Sequence, residues 1–148
     1  MTDLRGPWDA SDLEAFLASV TVPLRLACRT PAGRLWLVPL WFTYEEGRFH
    51  CATSREADLV EFLEADAGVA LDVSTNEPPY RGVRGNGTAR IEPDPEKELL
   101  RDLLDRYLGG TESPLAEQLL DEKRREVRIV VDPDRLVTWD YTARMSGG

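Results

Sequence analysis

The sequence predicts a mainly β fold of the α+β kind, in which an antiparallel sheet curls into a barrel and helices pack outside it. Two observations favour this fold class. Short apolar segments follow one another with turn residues between them, as antiparallel strands do. The regular helical crossovers that a parallel sheet needs are missing. A chain of 148 residues also suits one domain with one core.

The first third of the chain predicts a helix followed by three strands. Ser11 and Glu14 have the spacing of a capping box, which would begin the helix. The apolar stripe of this helix consists of Leu13, Phe16, Leu17 and Val20. Strands are then predicted at 24–29, 35–44 and 48–53, and the turn segments "TPAGR" and "EEG" join them into an antiparallel meander.

The rest of the chain mixes helices and strands. Apolar residues at helical spacing predict a helix at 55–66. Asp94 followed by Pro95 predicts a second helix start, with the aspartate as N-cap, and Gly109 ends that helix. The other predicted elements are a strand at 69–73, a proline-rich loop at 75–82, a strand at 83–91, a helix from Ser113 to about residue 125, and closing strands at 127–131 and 136–141 joined by the turn "DPDR".

The predicted strand "LWLVPLWFTY" carries a proline at its centre. Pro39 has no N–H to donate to a sheet, so it predicts a bulge or an interrupted ladder. The neighbouring amides of Val38 and Leu40 would then point at something other than a partner strand. Two interpretations stay open from the residues alone: a strand that faces a ligand, and an edge strand without one.

Charge and hydropathy limit the classes of partner. The formal net charge is −9, from 18 basic and 27 acidic residues. No basic face for nucleic acid is visible in the sequence, so we expect no nucleic-acid partner. No apolar run has the length of a membrane span, and the first residues lack the pattern of a signal peptide. We therefore expect a cytoplasmic protein without a membrane partner.

The residues that most often carry metal or nucleophilic chemistry are few. Cys28 and Cys51 have no close-spaced partner of the metal-ligand type, and we interpret both as free thiols in the core. His50 is the single histidine and lies in a predicted strand, where a structural role is the more common one. The sequence predicts no metal site, and no residue is assigned as a catalytic acid or base.

Three segments together resemble a known superfamily. They are "LACRTPAGRLWLVPLWFTYEEGRFHCATS" at 26–54, "GVALDVSTNEPPYRGVRGNGTARI" at 68–91 and "VTWDY" at 137–141. In order and spacing they resemble the pyridoxamine 5′-phosphate oxidase-like superfamily, the split β-barrel flavin and deazaflavin oxidoreductases. The resemblance covers about residues 20–141 of a single domain spanning 1–148, with 1–19 as an N-terminal helix segment and 142–148 as a tail.

The resemblance implies a fold, an assembly and a function. The fold is the FMN-binding split β-barrel, antiparallel and Greek-key-like with peripheral helices. Members are homodimers that bind FMN, or the deazaflavin coenzyme, at the interface and oxidise or reduce a small-molecule substrate, which the sequence does not identify. The alternative is a cofactor-free split-barrel dimer that acts as a binding or regulatory module.

The resemblance also assigns candidate cofactor-binding residues. The strand of Pro39 would contact the edge of the flavin ring, a tryptophan would stack on the ring, and a loop with its following strand would contribute from the partner subunit. The residues concerned are Val38, Pro39, Leu40 and Trp41 on the strand, Trp36 and Trp139 as further stacking candidates, Tyr80 in the proline-rich loop as a lid or dimer contact, Arg81 in the same loop, and Arg84 on the strand after it.

The phosphate of FMN is expected near the start of the helix at 55–66. Thr53, Ser54 and Arg55 match the first part of that phosphate-binding segment. Glu56 stands at the position of the family's lysine when aligned from Ser54 and Arg55, whereas Leu59 stands there when aligned from the next strand. Since neither is basic, the charge for the phosphate could instead come from Arg81 or Arg84 across a dimer. A larger deazaflavin coenzyme, or no cofactor, remains open.

Overall fold

The computed structural model describes residues 2–146 and consists of strands with short helices on their outside. The strands are β1 (Asp3–Arg5), β2 (Leu24–Arg29), β3 (Leu35–Leu40), β4 (Phe42–Glu45), β5 (Arg48–Ser54), β6 (Gly68–Ser74), β7 (Arg81–Pro93) and β8 (Glu126–Asp140). The helices are α1 (Ala10–Ser19), α2 (Asp58–Ala65), α3 (Glu98–Leu108), α4 (Pro114–Leu119) and α5 (Thr142–Ser146).

All strands belong to one sheet, which curls because one stretch of chain lies at both of its ends. The order of the strands is β3-β2-β6-β7-β8-β5-β4, and β1 joins β8 as a parallel addition. The other pairs are antiparallel. Only Trp41 separates β3 from β4. The predicted mainly β, split-barrel fold is therefore confirmed.

Pro39 costs the sheet no hydrogen bond. The N–H of Thr30 donates to the carbonyl of Arg34 at 2.8 Å, which marks a hydrogen-bonded pair of the β2–β3 ladder. Hydrogen-bonded pairs recur at every second residue of an antiparallel ladder, so the pairs of Val38 and Leu40 with β2 are also of this kind. The amides of Val38 and Leu40 therefore point to β2. The nitrogen of Pro39 and the amide of Leu37 lie on the opposite, free edge of β3. The predicted single strand at 35–44 is two strands, and the break falls at Trp41.

The barrel interior holds one apolar core. Side chains that alternate inward along the strands pack there against α1 and α2. Fully buried members include Leu24, Leu26, Phe42, Phe49, Cys51, Val73, Val83, Ile129, Val131 and Leu136. From the helices come Leu13, Phe16 and Leu17 of α1 and Leu59 and Leu63 of α2. The stripe predicted for the first helix is thus the surface that α1 buries.

A second, smaller cluster covers the break between β3 and β4. Buried side chains of α3 and α4 pack there against Trp41. The ring of Trp41 is stacked on that of Tyr107, with 5.2 Å between centroids and 9° between planes. The N–H of Phe42 donates to the Tyr107 hydroxyl at 3.4 Å, and this hydroxyl donates to the carbonyl of Val22 at 3.0 Å. Tyr107 therefore joins the break to the segment before β2.

Two predicted helix starts are displaced. Helix α1 begins one residue earlier than Ser11, because Asp9 caps it. The Asp9 carboxylate accepts from the N–H of Asp12 at 2.8 Å, and the N–H of Asp9 donates to the Asp12 carboxylate at 3.1 Å. Asp94 does accept from an amide of the first turn of α3, that of Leu99, at 3.1 Å. The helix itself begins at Glu98, since Lys97 takes a left-handed conformation with φ of 57°.

The C-terminal part differs most from the prediction. The "DPDR" turn does not form, and β8 runs unbroken beside β7, with a bulge that gives Asp134 no partner between Pro133 and Arg135. Helix α4 ends at Leu119 and not near residue 125. The prediction also missed β1 and α5. Within residues 2–146, no helix is long and apolar enough to cross a membrane.

Replacing Tyr107 by Phe should destabilise the fold. The change keeps the ring that stacks on Trp41 but leaves the Phe42 amide and the Val22 carbonyl without their partner. We expect a loss of about 1–2 kcal/mol in the free energy of unfolding, measured by urea titration. Tyr44→Phe is the matched control, because it removes the hydroxyl of another tyrosine and keeps its ring, which packs on Phe49 with 4.7 Å between centroids. Equal losses in both variants would contradict the role of the Tyr107 hydroxyl.

Both thiols should be unreactive in the folded protein. Cys51 is fully buried, and this burial raises the pKa of its thiol to about 12. Burial also raises the pKa of Cys28, which is 4% exposed. A thiol-specific chromogenic reagent at neutral pH should therefore react only slowly with the native protein. After unfolding, the same reagent should titrate two thiols per chain. Rapid reaction of either thiol in the native state would show that the barrel opens more easily than its core packing suggests.

Candidate functional site

The segment expected to bind phosphate forms a tight turn between β5 and α2. The N–H of Ala57 donates to the carbonyl of Ser54 at 3.0 Å, and the N–H of Glu56 donates to the Ser54 hydroxyl at 3.2 Å. Helix α2 then begins at Asp58 without a side-chain cap. The Ser54 hydroxyl is thus already engaged with the backbone.

The charges at this turn are paired within the chain. The Arg55 guanidinium binds the Glu64 carboxylate side by side, Nη1 to Oε1 at 3.0 Å and Nη2 to Oε2 at 3.3 Å. Hydrogen bonding with Glu64 raises the pKa of Arg55 above its ordinary value. The Glu56 carboxylate pairs with Arg125. The Arg55 guanidinium is therefore already paired with a carboxylate and is not free to bind an anion.

The hollow in front of α2 is acidic. It has a volume of about 370 Å³ and contains both ion pairs. Its charged lining consists of the carboxylates of Glu56, Asp58, Glu61 and Glu64 and the guanidinium groups of Arg55 and Arg125. A phosphate dianion placed there would meet four carboxylates and two arginines that are already paired. The residues at the start of α2 do not fit a phosphate group.

A second concavity lies on the outer face of the sheet, and we call it the outer groove. It crosses β2, β6, β7 and β8 and has a volume of about 560 Å³. Its apolar lining is mostly small, with Ala27, Ala70, Gly85, Leu37 and Val137, and its charged lining is Arg25, Arg84, Arg135 and Asp72. A flat apolar floor beside three guanidinium groups suits a planar molecule that carries negative charge.

Four residues of this face form one row across the strands. Pro39 of β3 lies opposite Arg25 of β2, which lies opposite Asp72 of β6, which lies opposite Arg84 of β7. The Asp72 carboxylate accepts from the Ser74 hydroxyl at 2.8 Å. Within residues 2–146, neither Arg25 nor Arg84 has a carboxylate within the 4.0 Å of an ion pair. The groove therefore holds two arginines that form no ion pair, on either side of one aspartate.

The arginines and aromatic rings after the proline-rich loop take separate positions. The Arg84 guanidinium lies over the Trp139 ring, 5.0 Å from its centroid, at the outer groove. Arg81 lies over Phe16 at 5.4 Å, on a side chain of the core. Tyr80 is exposed, and its carbonyl accepts from the N–H of Tyr141 at 2.9 Å. Of this set, the structure brings only Arg84 and Trp139 together.

The candidate tryptophans on the strand of Pro39 contact other rings of the chain. Trp41 stacks on Tyr107, and Trp36 meets the ring of Phe62 edge-on at 5.4 Å. The side chains of Val38 and Leu40 pack on the barrel core. Their amides, which were expected to point at something other than a partner strand, point to β2. The amide available on the free edge is that of Leu37.

The outer face of β3 is apolar and uncovered. Leu35 is 76% exposed and Leu37 is 67% exposed, values that are unusual for two leucines on one short strand. Pro39 is exposed beside them. Leu37 also lines the outer groove, so this strand surface and the groove are continuous.

Sequence reasoning missed Arg25, Asp72 and Arg135 as well as the small residues of the groove. The signal was present in the alternation of β2, where Leu24, Leu26 and Cys28 point inward and the residues between them therefore point outward. The same alternation on β6 places Ala70 and Asp72 on the outer face. What the sequence does not contain is the pairing of β2 with β6, which brings these residues into one row.

A larger hollow near the start of α3 is lined by five basic and three acidic side chains. Its volume is about 640 Å³. The ammonium group of Lys97 donates to the carbonyl of Asp121 at 2.5 Å, and Arg124 pairs with the buried Glu126. Of the other basic groups, Arg55 and Arg125 pair with Glu64 and Glu56, and Arg101 lies in the same lining as the exposed Glu96 and Glu122. Among residues 2–146, no group of three or more His, Cys, Asp or Glu side chains is arranged to hold a metal ion.

Solved structures match this fold, whereas no protein-family model and no curated protein matches the sequence. An F420 reductase superposes with a TM-score of 0.70 at 25% identity, over 82% of this chain and 93% of that one. A conserved hypothetical protein from Mycobacterium tuberculosis gives 0.76 at 21% identity, over 96% of this chain and 89% of that one. A suggested pyridoxamine 5′-phosphate oxidase from Listeria innocua gives a TM-score of 0.63 at 15% identity, over 86% of this chain and 94% of that one.

These matches confirm the resemblance seen in the sequence. The chain has the fold of the pyridoxamine 5′-phosphate oxidase-like superfamily. Two of these three neighbours carry names of that superfamily, the F420 reductase and the suggested pyridoxamine 5′-phosphate oxidase.

Proposed function

We propose that the protein is a flavin-dependent oxidoreductase that acts as a homodimer, with FMN or the deazaflavin coenzyme bound at the dimer interface. The observation that carries this proposal is the continuity of the outer groove with the uncovered apolar face of β3. The fold class supports it, because the named neighbours include an F420 reductase and a suggested pyridoxamine 5′-phosphate oxidase.

The exposed leucines support a second copy of this chain as the partner. Leu35 and Leu37 lie on a strand whose outer edge pairs with no other strand of residues 2–146. Burial of a leucine side chain stabilises an interface by about 1.5–3 kcal/mol, and a two-fold interface counts each leucine twice. The groove beside them would then be enclosed between the two subunits, which removes water from a bound ring.

The residues of the groove match the needs of a flavin-type ring. Ala27, Ala70 and Gly85 leave a shallow apolar surface on which a planar ring can lie. When bound, the cofactor supplies hydride or electron transfer to a small-molecule substrate, while the chain positions the ring and excludes water.

A cofactor-free dimer that acts as a binding or regulatory module is the second candidate. The ion pairs at the start of α2 favour it, because they occupy the segment where the family's phosphate is expected. The two candidates differ in one measurable property, the presence of a bound chromophore.

The purified protein should be yellow if the first candidate is correct. We expect a flavin or deazaflavin absorption band in the visible spectrum, and a mass spectrum of the molecules released on denaturation should identify the cofactor. If the protein is purified without cofactor, titration with FMN and with coenzyme F420 should restore the band shift of a bound ring. Absence of binding in both titrations would contradict the oxidoreductase and favour the cofactor-free module.

Replacing Leu37 by Asp should weaken the dimer. A carboxylate on the uncovered face of β3 would be buried against its own symmetry mate, so we expect the dimer dissociation constant to rise by at least about tenfold in sedimentation velocity. Leu115→Asp on α4 is the control, because Leu115 is 45% exposed but lies outside β3 and the groove. A dimer unchanged by Leu37→Asp would move the interface elsewhere.

A further inference from the structure

We infer that the phosphate of the cofactor is held in the outer groove by Arg25 and Arg84, and not by Arg55 at the start of α2. This inference rests on the proposed function, since it assigns the anion subsite of the same cofactor. It follows from the distribution of ion pairs in a chain that has 27 acidic residues and 18 basic ones. Arg25 and Arg84 both line the outer groove, and among residues 2–146 neither has a carboxylate within 4.0 Å.

The start of α2 lacks a free cation. Arg55 is held by both oxygens of Glu64, and Arg125 is held by Glu56. A phosphate would have to displace these carboxylates while it remained beside them and beside Asp58. The helix N-terminus alone does not compensate for this, because its own first residue is the acidic Asp58.

The outer groove has the opposite arrangement. Arg25 and Arg84 stand on either side of Asp72, in one row across β2, β6 and β7. Adjacent strands are about 4.8 Å apart, so the two arginines start about 10 Å from each other, and their long side chains reach a group between them. The single carboxylate of Asp72 already accepts a hydrogen bond from Ser74. Two guanidinium groups therefore face one carboxylate, which leaves positive charge for an anion.

Arg84 is also held in place. Its guanidinium lies 5.0 Å from the centroid of the Trp139 ring, which limits the orientations of its planar fork. A guanidinium that is oriented in advance loses less conformational freedom when it binds phosphate through two parallel hydrogen bonds. Arg135 adds a third positive group to the groove, although it lies 3.8 Å from the carboxylate of Asp3.

The floor beside these arginines admits the ring that carries the phosphate. Gly85 of β7 contributes only backbone to this floor. Ala27 and Ala70 continue this low surface across β2 and β6. The volume of about 560 Å³ lies in the range of small-molecule sites, about 300–1,000 Å³. An aromatic ring with an anionic tail is the chemistry that both parts of the groove accept.

Riboflavin and FMN differ only in the phosphate, so the ratio of their affinities isolates this subsite. For the native chain we expect FMN to bind at least about tenfold tighter than riboflavin, measured by fluorescence quenching of the flavin. The double variant Arg25→Gln/Arg84→Gln should bind both flavins with similar affinity. Arg55→Gln should keep the native ratio. The riboflavin affinity of each variant serves as the control for folding and for the ring site.

Each outcome of these titrations bears on the inference. A ratio that falls in Arg55→Gln and persists in the double variant would overturn it, and so would a native chain without preference for FMN. Both of these results leave the proposed function intact, because flavin still binds. If neither flavin binds but coenzyme F420 does, the double variant must lose affinity for F420 while Arg55→Gln retains it. If none of the three binds, this inference and the proposed function fail together.

Discussion

The structure depends on one stretch of chain that serves two edges of the sheet. The ladder of β3 is with β2 and that of β4 is with β5, although only Trp41 lies between them. Because the two strands are at opposite ends of the strand order, their covalent connection forces the sheet to curl. The backbone at the change of partner needs a substitute for the ladder, and the Tyr107 hydroxyl supplies it at the Phe42 amide. Helix α3 is therefore part of the barrel's closure and not only its outer cover.

Charge is distributed unevenly over this acidic chain, and the distribution separates two surfaces. At the start of α2, Arg55 and Arg125 form ion pairs with carboxylates of the same chain. On the outer face of the sheet, Arg25 of β2 and Arg84 of β7 form none among residues 2–146. Unpaired arginines in a dimer interface are costly unless an anion neutralises them. If two subunits meet at this groove, as proposed, a phosphate-bearing ligand there would strengthen their contact, and assembly and ligand binding would be coupled in free energy.

The sequence predicted the barrel and most of its elements, because the inward alternation of apolar residues and the turn segments are local signals. It misplaced features that depend on contacts with other residues of the folded chain. The "DPDR" segment has the composition of a turn, but pairing with β7 keeps it in a strand and leaves Asp134 as a bulge. Ser11 has the spacing of a cap, yet Asp9 caps α1. For the site, Arg84 and Trp139 were among the candidates, whereas Arg25 becomes visible only through the register of β2 with β6.

The position of Pro39 on the free edge of β3 has a consequence for solubility at high protein concentration. An exposed strand edge next to apolar side chains is a template on which strands of other molecules can add, and this is a common route to aggregation. Proline withholds the one N–H that an incoming strand would need at the centre of this edge. Pro39 therefore protects the free edge of β3 against unspecific strand addition.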